Sequence, residues 1–312
     1  MAGIAAADER LFALREAVAR LEGHGMPERR YPAPDRMASP SIHCKTPMAR
    51  RITLGVPFFD ADLCGGMAIE GLTEIRNAET RDAGAAMGFT TALAVVCQEA
   101  SRKDNASALV LWIVETAASR EAGMPYGVGL ETFGLDTSRF LLTCPRRTQD
   151  ALWIAEAALS TPAFSAVVLE VRGNPACFGL SESRRLHLRA RASGIPLLLL
   201  RQNGAEEASS ALLRLHVRPA AAAERILHKG HELRGSLGNP VFHVTAEKSR
   251  TLAPDGILLE WNSRDRRFSE FNPAAHAAPA KPAHPRALLS PSGGRPDIEA
   301  EMGRVVAFSR AS

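Results

Sequence analysis

Apolar residues in this chain fall into short continuous runs separated by amphipathic stretches. Runs at 72–75, 108–114, 140–142, 166–171 and 195–200 suit strands covered on both faces. Between them, residues at about 89–102, 148–160 and 181–192 are predicted helices, with apolar groups three and four apart. Helices alternating with buried strands suit parallel crossovers. After Leu200 the rhythm changes, and 211–217, 241–246 and 257–261 read as strands without long helices between them. That is the pattern of an antiparallel extension at one sheet edge. The expected fold is α/β, a mostly parallel sheet flanked by helices.

Both flanks differ from this core. Residues 1–22 read as an N-terminal docking helix, with Asp8 as a cap and Leu11, Leu14, Val18 and Leu21 on one face. Residues 23–50 form a linker interrupted by Pro27, Pro32, Pro34, Pro40 and Pro47. The folded domain is expected at 51–268. The tail, 269–312, is rich in Ala and Pro and is expected to be disordered alone, because it cannot bury enough apolar surface to offset ordering. Its last stretch places Ile298, Met302, Val305 and Phe308 at helical spacing, with Asp297 and Glu299 early and Arg304 and Arg310 late. That charge order suits a helix dipole, and these apolar groups are expected to order in a partner's groove. A chain end without a partner is the other reading.

Composition narrows the class. The 46% hydrophobic and 23% charged content fit an ordinary soluble protein, and the formal charge of +4 permits an acidic partner without demanding one. Five scattered cysteines with no CxxC pair predict reduced thiols and no metal site. No apolar run follows basic residues at the start, and none reaches the ~18 residues of a membrane span. The expected location is the cytoplasm.

The candidate chemistry starts after the run ending at Ile75. A phosphate-binding loop needs Gly-x-x-x-x-Gly-Lys-Ser/Thr between strand and helix, so that backbone N–H groups and a lysine face the phosphates. Here Gly88-Phe89-Thr90-Thr91 opens a predicted helix, but Phe89 stands in the lysine's place and Ala83 in that of the first glycine. On spacing alone, a degenerate nucleotide loop and a plain strand-to-helix turn both remain open. Glu115 and Glu170 end apolar runs, where a water-activating base and a magnesium-side carboxylate would stand, although strands also end in charge at any sheet edge. Residues 183–191 carry Arg184, Arg185, Arg189 and Arg191 around His187. They are candidates for DNA contact, or a solvated outer helix with its leucines turned inward. His228 and His231 lack partners at ligand spacing.

Taken together, these residues resemble a family. Gly55 and Asp60, then Gly65-Gly66, then Gly71 with Glu74-Ile75, resemble the entry to RecA-like domains. The stretch from Gly134 to Leu142, followed by 148–159, resembles the recombinase segment joining the second and third core strands. With Lys248-Ser249-Arg250 and Leu259-Glu260-Trp261-Asn262 near the end, the chain resembles the ImuA family, RecA-like proteins of SOS-induced mutagenesis. The resemblance implies a non-catalytic scaffold in translesion synthesis and DNA repair after DNA damage. Its partners would be an ImuB-like Y-family polymerase homologue, RecA and an error-prone DnaE-type polymerase, with DNA contact indirect. No cofactor is expected, ATP being the open case. Two alternatives remain: a DNA-dependent ATPase in which Arg76, Arg81 or a neighbour's arginine replaces the lysine, and a SulA-like inhibitor of cell division.

Overall fold

A computed structural model describes residues 51–63, 65–68, 70–103, 108–226, 232–233, 235–249 and 256–273. In chain order they form β1 (Arg51–Ile52), α1 (Pro57–Asp62), β2 (Met67–Ala68), β3 (Leu72–Arg76), α2 (Ala83–Lys103), β4 (Leu109–Val114), α3 (Thr116–Ala122), α4 (Gly127–Thr132) and β5 (Phe140–Thr143). There follow α5 (Thr148–Leu159), β6 (Phe164–Arg172), α6 (Leu180–Ser193), β7 (Leu197–Gln202), β8 (Leu213–Ala220), β9 (Arg225–Ile226), β10 (Glu232–Leu233), β11 (Val241–Lys248), β12 (Ile257–Asn262) and β13 (Arg267–Glu270). The predicted docking helix and linker lie outside the described residues, as does the tail from residue 274. The expected domain end at 268 is corrected, because β13 runs to Glu270 and Phe271 is buried, its N–H bonded to Leu258 O.

Nine strands form one sheet in the order β13-β12-β11-β8-β3-β7-β6-β4-β5. From β8 to β5 all neighbours are parallel, whereas β11, β12 and β13 add antiparallel strands at the opposite edge. This is the expected mostly parallel sheet flanked by helices. Helix α2 covers one face, packing on β3, β4, β6, β7 and β8, while α5 and α6 cover the other. The alternation of side chains follows from the pleat. Ile75, Val110, Val168 and Leu198 join the α2-side core, and Leu72, Leu111, Leu169 and Leu199 join the core beneath α5 and α6.

The α5–α6 face carries charge at its centre. Glu74 on β3 lies between Arg201 on β7 and Arg214 on β8, and all three are almost wholly buried. Arg201 Nε donates to Glu74 Oε1 at 2.8 Å, Ser209 Oγ donates to Oε2 at 2.7 Å, and Arg214 Nε lies 3.3 Å from Oε2. Arg214 Nε makes the charge contact without a well-directed hydrogen bond. Phe178 stacks under the Arg201 guanidinium, 4.8 Å from its ring centre.

The entry segment is held by one carboxylate. Asp60 accepts from Leu54 N at 2.8 Å and Gly55 N at 3.0 Å, and its carbonyl accepts from Gly65 N and Gly66 N. Gly66 has φ +120°, and a Cβ there would lie 2.3 Å from Ile52 O. Only glycine fits such a position.

Breaking the buried triad should be costly. Glu74→Ala leaves two guanidinium groups buried without a counter-charge and is expected to destabilise the domain by about 3–5 kcal/mol in urea unfolding. Arg185→Ala, at the exposed pair with Glu156, should cost less than about 1 kcal/mol.

Candidate functional site

The connection after β3 decides what the phosphate-loop motif can do. Asn77–Glu79 lead into a 3-10 turn, Thr80–Asp82, and α2 begins at Ala83. The predicted start at Gly88 is therefore corrected, since the Ala83-Gly84-Ala85-Ala86 run is already helical. Gly88, Phe89, Thr90 and Thr91 lie inside α2, not in a loop. Thr90 Oγ1 donates to Ala86 O at 2.8 Å and Thr91 Oγ1 to Met87 O at 2.9 Å, and both side chains are buried. Phe89 is fully buried, with ring centres 5.6 Å from Phe242 and 5.3 Å from Phe268. Gly88 serves packing: a Cβ there would come within 3.1 Å of Phe133 and 3.5 Å of Phe242. The two arginines considered as lysine substitutes are engaged. Arg76 forks onto Glu247 and donates to Gly204 O at 2.8 Å, and Arg81, 76% exposed, pairs with Glu79.

The two carboxylates stand at the carboxyl ends of adjacent strands, as the sequence predicts, and both have local partners. Glu170 is fully buried on the α2 face, accepting from Trp112 Nε1 and Gln202 Nε2, each at 2.8 Å. Burial pushes its pKa up from 4.5, opposed by those two hydrogen bonds. Glu115 accepts from Thr148 Oγ1 and, at 3.3 Å, from Arg172 N. Sequence reasoning missed Glu121, which accepts from Thr80 Oγ1 at 2.6 Å and pairs with Arg172. It also missed Asn77, wholly buried, whose Oδ1 has no partner. The available signal for both Asn77 and Gln202 was an arginine followed by an amide residue at the end of an apolar run, Ile75-Arg76-Asn77 and Leu200-Arg201-Gln202.

The connections after β6 and β7 are knitted together. Asn174 Nδ2 donates to Ala205 O at 3.1 Å and to Glu207 Oε2 at 2.7 Å, and Asn174 Oδ1 accepts from Ala205 N at 2.8 Å. Arg201 Nη1 reaches Gly173 O at 3.2 Å, Gly204 N donates to Asn77 O at 3.1 Å, and Ser210 N donates to Ser183 Oγ at 3.1 Å. Arg214 also donates to Glu207 O.

Helix α6 divides its basic residues. Arg185 and Arg189 both face Glu156 on α5, whereas Arg184 and Arg191 are exposed with no ion pair among the described residues. Its leucines divide too. Within 183–191, Leu186 is fully buried, as the solvated-helix reading expects, but Leu188 is 52% exposed and corrects it; Leu180, ahead of that segment, is 55% exposed. Leu186 and Leu188 are two apart, and a helix cannot bury both on one narrow stripe.

Leu11, Leu14, Val18 and Leu21, the tail positions 298, 302, 305 and 308, and His228 and His231 lie outside the described residues. Among those described, no group of three or more His, Cys, Asp or Glu is placed to hold a metal. Cys97 is buried and its thiol is pushed up to about 12 by desolvation; Cys144 is exposed and Cys177 half-buried. No model of a known protein family matches this chain, and no curated protein matches it at a significant level.

Two substitutions test this site. Phe89→Lys, which restores the motif's lysine on paper, should destabilise the domain by more than about 3 kcal/mol in thermal unfolding without creating ATP binding, because the ammonium would be buried among aromatic rings. Glu170 contributes stability that is complete below its ordinary pKa of 4.5 and is lost as pH rises through the raised folded value. Glu170→Gln should remove that decline in a pH series of urea midpoints.

Proposed function

We propose that this chain is a non-catalytic, RecA-like scaffold of an SOS-induced translesion-synthesis complex, of the ImuA type. One observation carries the loss of catalysis. Gly88, Phe89, Thr90 and Thr91, which fill the motif's second-glycine, lysine and hydroxyl places, lie in the second and third turns of α2, with Phe89 in the core. Their backbone N–H groups lie in the helix interior, where the helical ladder takes them up, so they do not curl around an anion. Glu170 is fully buried with its two oxygens taken up by Trp112 and Gln202, which adds weight to the same reading. The RecA-like assignment draws support from the parallel sheet with its antiparallel extension, and from Asp60, Gly65 and Gly66 acting together at the domain entry.

The scaffold role rests on the resemblance and on the tail. Its polymerase-side partner is the ImuB-like homologue, with RecA and a DnaE-type polymerase in the same assembly. The knitted connections after β6 and β7 favour indirect rather than direct DNA contact. No helix among the described residues is long and apolar enough to cross a membrane, in keeping with a cytoplasmic place of action.

Purified chain should show no ATP turnover above background, with or without single-stranded DNA, and Glu115→Gln should change nothing. Recombinase-like turnover that disappears in Glu115→Gln would overturn the non-catalytic reading. Truncation after Arg295, and separately Met302→Asp, should each abolish co-purification with the ImuB-like partner and damage-induced mutagenesis while leaving thermal unfolding unchanged. Intact capture in both variants would move the interface to the folded domain.

A further inference from the structure

Between α6 and the β7–β8 connection lies an open groove of about 460 Å³. It is lined by Arg184, His187 and Leu188 of α6, Ser210 and Leu212 of the connection into β8, and Lys248 of β11. Lys248 Nζ donates to Ser209 O at 2.6 Å, on the groove's own backbone, and His187 Nδ1 accepts from Leu72 N of β3 at 3.3 Å. On α6, Leu180, Arg184 and Leu188 follow one another at intervals of four, giving a cation between two exposed leucines. An apolar-basic-apolar strip beside a second cation selects a segment carrying carboxylates between apolar anchors. A nucleic-acid backbone offers no apolar group to the leucines, and Arg185 and Arg189 are already turned to Glu156.

The chain supplies such a segment. Asp297, Glu299 and Glu301 are interleaved with Ile298 and Met302, and the positive charges of the tail's end come later, at Arg304 and Arg310. The described chain also leaves the sheet at the right end. Phe271 N donates to Leu258 O, next to Ile257, which pairs with Val244 on β11, and β11 runs from there to Lys248. Two strand spacings and four residues of rise separate the exit from the groove, a span of about 20 Å. The 24 residues 274–297 reach as far as about 80 Å when extended, so length does not limit the contact.

We infer that residues 297–308 dock in cis into the groove between α6 and the β7–β8 connection, with their carboxylates at Arg184 and Lys248 and their apolar side chains against Leu188 and Leu212. Under the scaffold reading, on which this regulatory sense rests, the docked tail withholds Ile298 and Met302 from the polymerase-side partner until that partner competes for them.

Hydrogen exchange of the full chain, followed by mass spectrometry, tests the docking. A tethered contact of about 100 μM at an effective concentration of about 1 mM should slow the amides of 297–308 about tenfold relative to a free synthetic peptide of the same sequence. The double substitution Arg184→Glu with Leu188→Asp, both at exposed positions, should return them to the free rate. Adding Glu299→Arg and Glu301→Arg to Arg184→Glu alone should restore part of the slowing. Free-rate exchange in the unaltered chain, or slowing that survives the double substitution, would sink the proposal. Slowing that grows with protein concentration would overturn it in favour of a second copy. Free-rate exchange combined with single-stranded oligonucleotide binding that the double substitution abolishes would assign the groove to nucleic acid instead. Slowing in the unaltered chain together with undiminished partner capture after truncation at Arg295 would keep the docking and refute the scaffold's tail contact.

Discussion

A carboxylate between two guanidinium groups, all three out of water, sets the terms for the rest of this domain. Glu74, Arg201 and Arg214 come from three adjacent strands, β3, β7 and β8. A register slip of one residue would turn one charge to the opposite, apolar face and leave the others unpaired. The triad therefore restricts the central sheet to one alignment, an effect that an apolar cluster of equal volume supplies less sharply. It also extends outward, because Ser209 binds Glu74 and Arg214 binds Glu207 O. Ordering of the β7–β8 connection thus follows from charge compensation in the core.

On the other face, α2 has the opposite character. Its buried positions are apolar or small except for Gln98, which bonds to Ala108 O and Asp136 N, and its two threonine hydroxyls are satisfied by the helix's own carbonyls. Polar groups of β4, β6 and β7 answer one another across the sheet, Trp112 and Gln202 to Glu170, while Thr148 at the start of α5 answers Glu115 after β4. A nucleotide-hydrolysing site keeps such groups exposed and under-satisfied so that ligand and water complete them. Here the protein completes most of them itself, leaving Asn77 Oδ1 and Gln202 Oε1 as the unmatched acceptors at that edge.

Much of the sheet was legible in the sequence, because buried parallel strands are continuous apolar runs. The 72–75 run became β3, 108–114 became β4, 166–171 became β6, and the three later runs became β8, β11 and β12. The start of α2 was not legible. Gly84 and Gly88 argue locally for a turn, whereas the need for a small residue at 88 comes from the approach of Phe133 and Phe242, distant in the chain. The short α1, α3 and α4 and the edge strand β13 lack a full period of pattern. Glu74 and Arg201 were both visible as residues, but their pairing depends on β3 lying beside β7, 127 positions apart. The same holds at the candidate site. Glu115 and Glu170 were found at strand ends, whereas the partners of Glu170, Trp112 and Gln202, follow from strand order, and that of Glu115, Thr148, from the packing of α5 on the sheet.

The ties between Asn174 and the backbone around Ala205 bear on how this edge of the domain fluctuates. Segments joined by reciprocal hydrogen bonds and anchored in a buried ion triad do not fray one residue at a time. Releasing Ala205 strands Asn174, and releasing Ser209 exposes Glu74's counter-charges, so the two connections open as one cooperative unit or stay shut. Such a unit spends little time half-open, and its opening free energy lies closer to that of global unfolding than to that of an ordinary surface loop.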